Sequence, residues 1–225
     1  MLKAILFDLD NTLIDFWSMK RKSCEAAVDA MVSAGLGIKR EKALDILYGL
    51  YKSLGIEYQM IFQKFVQKAK GKVDYRIVAH GIAAYRRIKN SYMIAFPHVI
   101  PTLLELKRKY KLAIISDAPR MNAWLRLVQL NLDGFFDVVI TAADVRKQKQ
   151  YSTPFNAALK ALRVRPEDAI MIGDRVERDI ITAKNLGIKT CYARYGEEKP
   201  LKKGSSGADY EIDDIRELLK IIKGL

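Results

Sequence analysis

The sequence predicts an α/β fold: a parallel sheet with helices on both faces, interrupted after its first strand by a small inserted bundle of helices. Three observations carry that prediction. Short apolar runs alternate with helical-period stretches through the later part of the chain, the pattern of parallel strands joined by crossover helices. One further run of this kind, Ile5-Leu6-Phe7, stands apart near the N-terminus. Between the two lies a long segment with helical periodicity and no strand-like run.

Residues 5–7 read as a buried strand because the run is short, apolar and uninterrupted. Helices are expected next over residues 18–34, 40–54, 57–70 and 74–90. In the second of these Ala43, Leu44, Leu47, Leu50, Tyr51 and Leu54 recur at helical spacing. Gly35, Gly37, Gly55 and Gly71 punctuate the set, and connections this short suggest a bundle whose Met and Tyr residues form its core. The alternation then begins. A helix over 100–110 precedes a strand over 112–115, and a helix over 119–132 starts at Pro119. A strand over 138–141, a helix over 153–162 and a strand over 169–172 follow. The helix over 176–186 is closed by Gly187, before a strand over 190–193. Residues 201–209 read as a loop, and a strand over 210–212 and a helix over 215–222 complete the pattern. The expected domains are therefore residues 1–16 with 93–225, and an inserted helical domain over 17–92.

At 225 residues the chain is long enough to bury a substantial core. No stretch approaches the about 18 continuous apolar residues of a membrane span, and the apolar start is too short for a signal peptide; a cytoplasmic protein is expected. Cys24 and Cys191 lack metal-type spacing and are expected to be reduced and buried. The net charge is +13, a balance that suits nucleic acid but equally steers small anions or keeps a protein soluble. Its lysines and arginines are dispersed among acids rather than gathered, which argues against a nucleic-acid surface.

Three of the apolar runs, and one basic stretch, carry groups suited to handling a phosphate. Asp8 and Asp10 follow the first strand, at the carboxyl end where open α/β sheets place ligands; alternate positions point the same way. Ser116 and Asp117 follow the run at 112–115, Lys149 lies in the basic stretch Arg146-Lys147-Gln148-Lys149, and Gly173-Asp174 with Asp179 follow the run at 169–172. Two clusters of aspartates imply a hard cation such as Mg²⁺. A hydroxyl and a lysine supply what an anionic substrate needs.

In these residues the chain resembles the haloacid dehalogenase superfamily, most of whose members are magnesium-dependent phosphatases. Asp8-Leu9-Asp10-Asn11-Thr12 matches the first motif of that family, Ile115-Ser116 the second, Lys149 the third, and Gly173-Asp174 with Asp179 the fourth. The resemblance implies a Rossmann-like domain with the helical insertion as a cap over the active site. It implies Asp8 as nucleophile and Asp10 as general acid and base. Mg²⁺ would be held by Asp8, the backbone carbonyl of Asp10, and Asp174. Ser116 and Lys149 would bind the phosphate, and Asp179 and Thr12 would support them. The implied substrate is a small phosphorylated metabolite of the sugar or triose phosphate class, and either a monomer or a homodimer fits. Two departures stand out. Asp117 replaces a commoner Asn, bringing an extra negative charge near the phosphate, and Gln150 replaces a common Pro, so that Lys147 competes with Lys149. The spacing to Phe155 favours Lys149.

Other readings differ in what they need. Haloacid dehalogenases use the same nucleophile but lack the second acid, present here as Asp10. Sugar phosphomutases share all four motifs. Phospho-accepting receiver domains are much shorter and carry no inserted bundle. A basic nucleic-acid-binding protein needs none of the acids. His80 and His98 fall in no motif.

Overall fold

The computed structural model describes residues 1–197 and 199–225. Contacts divide the chain into two compact units, Met1–Asp15 with Ile94–Leu225, and Phe16–Met93. The first unit is built on six strands: β1 (Ala4–Phe7), β2 (Lys111–Ser116), β3 (Val138–Thr141), β4 (Ala169–Gly173), β5 (Lys189–Ala193) and β6 (Tyr210–Ile212). Their order in the sheet is β3-β2-β1-β4-β5-β6 and every pairing is parallel. That is the doubly wound Rossmann order, in which the direction of winding reverses between β1 and β4. Phe7 lies opposite Ile114 on β2 and Ile172 on β4. The residues that follow these three strands therefore emerge side by side.

The second unit packs α1 (Phe16–Ser33), α2 (Arg40–Leu54), α3 (Ile61–Lys70) and α4 (Tyr75–Tyr92) around Val28, Met31, Leu47, Tyr51, Phe65 and Ile77. Met31 and Tyr51 are core residues, whereas Tyr48, Met60, Tyr75 and Tyr92 are exposed, so only part of the Met and Tyr set lines the core. The third helix starts at Ile61 rather than 57, because residues 55–60 turn instead of winding. Asp74 caps α4 by accepting from the Arg76 and Ile77 N–H groups.

In the first unit the remaining helices are α5 (Val99–Lys107), α6 (Arg120–Gln129), α7 (Ala142–Val145), α8 (Thr153–Leu162), α9 (Ile181–Asn185) and α10 (Leu218–Lys223). Leu6, Ala113, Ile115 and Met171 pack with Phe155, Leu159 and Leu162 of α8 on one face of the sheet. The alternate residues Ile5, Phe7, Leu112 and Ile114 are fully buried on the other, as strands covered on both faces must be. Three details depart from the expected elements. The run 108–110 leaves the helix before β2. The short α7 forms because Thr141 and Asp144 close a capping box. The helix expected from 176 opens instead as a π-helical turn, Val176–Ile180, before α9. Its wider winding accompanies the inward turn of Asp179, whose carboxylate accepts from the Arg175 N–H at 3.0 Å; such turns are frequent at functional sites.

The chain leaves and re-enters the first unit through a paired neck. Ile14 bridges Ala95 in antiparallel fashion, the Asp15 N–H donates to the Ile94 carbonyl, and the Phe96 N–H donates to the Leu13 carbonyl. Cys24 and Cys191 are buried free thiols. Among the described residues no helix is long and apolar enough to cross a membrane.

Candidate active site

The site lies where β1 and β4 end. The Asp8 N–H extends the sheet pairing by donating to the Ile172 carbonyl at 2.9 Å, which fixes the Asp8 backbone beside Gly173. Asp8, Asp174 and Asp179 are buried, and one carboxylate oxygen from each lies within 4.8 Å of the others. Lys149 arrives from the loop after α7, with its ammonium 2.5 Å from Asp8 Oδ1 and 2.6 Å from Asp179 Oδ1. Its neighbour Lys147 is exposed and lies over the Tyr151 ring.

Close backbone approach explains the glycines here. A Cβ on Gly173 would overlap the Asp179 carboxylate, and one on Gly196 would overlap the Asn11 carbonyl and Asp174. The turn after Asp10 is held from above by Tyr195, whose hydroxyl donates to the Thr12 carbonyl at 2.8 Å and whose ring meets Phe96 edge-on. Thr12 is fully buried and its hydroxyl faces Asp8 Oδ2 at 3.4 Å, a long contact.

Asp10 and Ser116 are placed differently from this cluster. The Asp10 carboxylate turns to Arg126, a buried guanidinium on α6, with Nη1 2.5 Å from Oδ2. Ser116 ends β2, one strand from Asp8, and its hydroxyl accepts from the Ala118 N–H at 3.1 Å. Asp117 does not leave a loose charge near the centre. One of its oxygens accepts from the Lys149 N–H at 2.9 Å and the other from Arg178 at 3.2 Å.

Three buried carboxylates facing one ammonium are not electrically balanced. Burial, together with the negative charges of Asp8 and Asp179, drives the Asp174 carboxyl well above the usual carboxylate range, against the pull of Lys149. Burial likewise pushes Asp179 up to about 6, although Lys149 opposes it. Burial disfavours the charge on Lys149, but Asp179, Asp8 and Asp117 outweigh it and hold the ammonium protonated. Both Asp174 oxygens are buried with no hydrogen-bond donor facing them. A divalent cation with oxygen preference fits this set: it would take oxygens that no donor serves and relieve the surplus negative charge.

Arg126, Tyr195 and Gly196 were not singled out from the sequence. Arg126 is one arginine in an amphipathic helix, with no local mark of its contact with Asp10. Tyr195-Gly196 carried a faint signal, a glycine just past a strand.

A family model described as haloacid dehalogenase-like hydrolase matches residues 5–193. The chain is 36% identical to the glyceraldehyde 3-phosphate phosphatase of Methanocaldococcus jannaschii, over 100% of this chain and 99% of that protein. To the glyceraldehyde 3-phosphate phosphatase of Pyrococcus furiosus it is 33% identical, over 99% and 93% respectively. It superposes on the crystal structure of a HAD phosphatase from Thermococcus onnurineus with a TM-score of 0.72 at 29% identity, covering 99% of each chain.

Proposed function

Because the chain belongs to the haloacid dehalogenase-like hydrolases, we propose that it is a Mg²⁺-dependent phosphatase acting on a small phosphorylated metabolite of the sugar or triose phosphate class. Glyceraldehyde 3-phosphate is the first substrate to try, since it is named for relatives that match essentially end to end. The observation that carries the reading is the carboxylate set Asp8, Asp174 and Asp179, buried around the Lys149 ammonium at the carboxyl end of the sheet.

In this reading an Asp8 oxygen attacks phosphorus, and the ester oxygen departs with a proton from Asp10. Water then attacks the aspartyl phosphate, with Asp10 taking its proton back, and inorganic phosphate leaves. Lys149 holds a positive charge against the transferring group, and Ser116, one strand away, offers a hydroxyl to its oxygens. Asp8, Asp174 and the Asp10 carbonyl would hold Mg²⁺, which when bound supplies charge neutralisation between two anions that otherwise repel. Asp179, bonded to Lys149, keeps that ammonium in place. Arg126 fixes the Asp10 carboxylate until a substrate oxygen competes for it. We assign the helical unit the part of a cap that excludes water and reads the non-phosphate portion of the substrate.

The test is phosphate release from a panel of phosphorylated metabolites, with chelated and Mg²⁺-replete enzyme. Turnover of glyceraldehyde 3-phosphate that needs Mg²⁺ supports the reading. A panel without phosphate release under replete conditions refutes it.

A further inference from the structure

Asp117 and Arg178 form a bracket beside Lys149 that the four matched motifs do not account for. Asp117 follows Ser116 at the end of β2. Its Oδ1 accepts from the backbone N–H of Lys149 at 2.9 Å, and its Oδ2 accepts from Arg178 at 3.2 Å. Thirty-two residues separate Asp117 from Lys149, and sixty-one separate it from Arg178. One carboxylate therefore ties together three loops: the one after β2, the one carrying Lys149, and the π-helical turn after β4. The Lys149 side chain is itself committed at its far end to Asp8 and Asp179. An ammonium fixed at the tip still needs its backbone fixed, and Asp117 supplies that second point.

We propose that Asp117 is a positioning residue for Lys149. Its carboxylate holds the Lys149 main chain so that the ammonium sits against Asp8, and Arg178 keeps the carboxylate turned that way. A carboxylate suits this place better than the amide of Asn. Asp offers an acceptor to each of two donors, whereas Asn facing Lys149 with its oxygen would turn an NH₂ toward a guanidinium. The two contacts are unequal. The backbone bond is sheltered, while the Arg178 side chain is 42% exposed and Asp117 15%, so the ion pair is the weaker member.

The proposal rests on the phosphatase reading for its kinetic consequences, but its geometry can be tested without any turnover. In the isotope-labelled full-length protein, the Lys149 amide is followed by hydrogen exchange. Asp117→Ala removes the acceptor and raises exchange at that amide at least tenfold above wild type, whereas Asp117→Asn keeps it protected. An unchanged Lys149 amide in Asp117→Ala overturns the proposal whatever the enzyme hydrolyses.

Kinetics supply the second arm, using glyceraldehyde 3-phosphate and Mg²⁺, with rates expressed per folded enzyme. Loss of a partner that orients a reacting group typically costs about 10–100-fold. Asp117→Ala is expected to lose that much in kcat while KM changes less than about threefold, since a displaced Lys149 fails mainly where charge develops. Asp117→Asn and Arg178→Met each lose less than about fivefold, because each leaves the Lys149 N–H with an acceptor. If Asp117→Asn falls as far as Asp117→Ala, charge rather than the backbone bond is what matters, and the proposal fails. It fails equally if Asp117→Ala lowers the melting temperature and leaves kcat intact.

Discussion

At the amino end of the β1–β4 pair a single buried carboxylate, Asp168, meets three cations. Lys3 lies 3.0 Å away, Arg165 3.2 Å and the Met1 amine 3.5 Å. At the carboxyl end of the same two strands three carboxylates cluster, and Lys149 sets its ammonium against two of them, Asp8 and Asp179. The first arrangement, led by the bond from Lys3, draws the Asp168 carboxyl down to about 2. The second drives Asp174 and Asp179 upward. Both ends are ionic and both join β1 to β4. Of the two ends, the one with surplus negative charge has buried oxygens without donors, an arrangement that suits a cation. Ion pairs alone do not set one end of this sheet apart from the other; their imbalance does.

The contrast is broken most severely at Asp8, the residue proposed as nucleophile. Asp8→Asn keeps the size and most of the packing of Asp8 but cannot form an acyl phosphate, so turnover should fall by several orders of magnitude. Retention of more than about 5% of wild-type kcat by folded mutant would remove Asp8 from the mechanism.

The next test supplies the missing charge. Chelation should abolish activity and added Mg²⁺ restore it. Because the ion binds only the folded arrangement, it should also raise the melting temperature, by the equivalent of about 2.7 kcal/mol at a hundredfold excess over Kd. Asp174→Asn should lose most of that rise. Full activity in metal-free enzyme would leave the surplus charge without a function and favour dehalogenase-type chemistry.

Lys149 places its ammonium against both Asp8 and Asp179, and Lys149→Ala should cost about 10²–10³ in kcat. Lys147→Ala, two residues away but exposed over Tyr151, should change kcat by less than about twofold. The reverse order would place the catalytic lysine two residues earlier.

The smallest effect belongs to the amino end. Asp168→Asn should leave kcat unchanged and lower stability modestly. The folded Asp168 carboxyl titrates near 2, below its ordinary value of 3.8. A depressed carboxyl contributes stability above its unfolded pKa and loses that contribution as pH falls through the folded one. The melting-temperature gap between wild type and mutant should therefore be full at pH 6 and close toward pH 2. A gap that widens on acidification would show that Asp168 acts through packing rather than through its charge.

Much of this molecule was legible in its sequence because the signals were local. The helices Arg40–Leu54 and Thr153–Leu162 and the strands Val138–Thr141 and Tyr210–Ile212 begin and end where periodicity and turn residues said they would. Asp8 and Asp174 each follow a short apolar run, so their places at strand ends could be read without knowing their neighbours. What was not legible depends on pairings between distant segments. The contact of Arg126 with Asp10 spans 116 positions, and nothing near either residue announces it. The bonds of Asp117 were hidden for the same reason: the residue type suggested an extra negative charge near the phosphate, but not that both oxygens engage the Lys149 amide and Arg178. The π-helical turn at Val176–Ile180 escaped because only the burial of Asp179 distinguishes it from an ordinary helix start.

The neck formed by Ile14 with Ala95, and by Asp15 with Ile94, has a consequence for how such a chain can be rebuilt. To the sheet, the whole excursion from Phe16 to Met93 amounts to the tip of one hairpin. A tip can be exchanged without changing strand order or register, because the two ends that must meet already lie side by side. The geometry makes the helical unit a replaceable cassette: shortening, lengthening or exchanging it should leave Asp8 anchored by its bond to the Ile172 carbonyl.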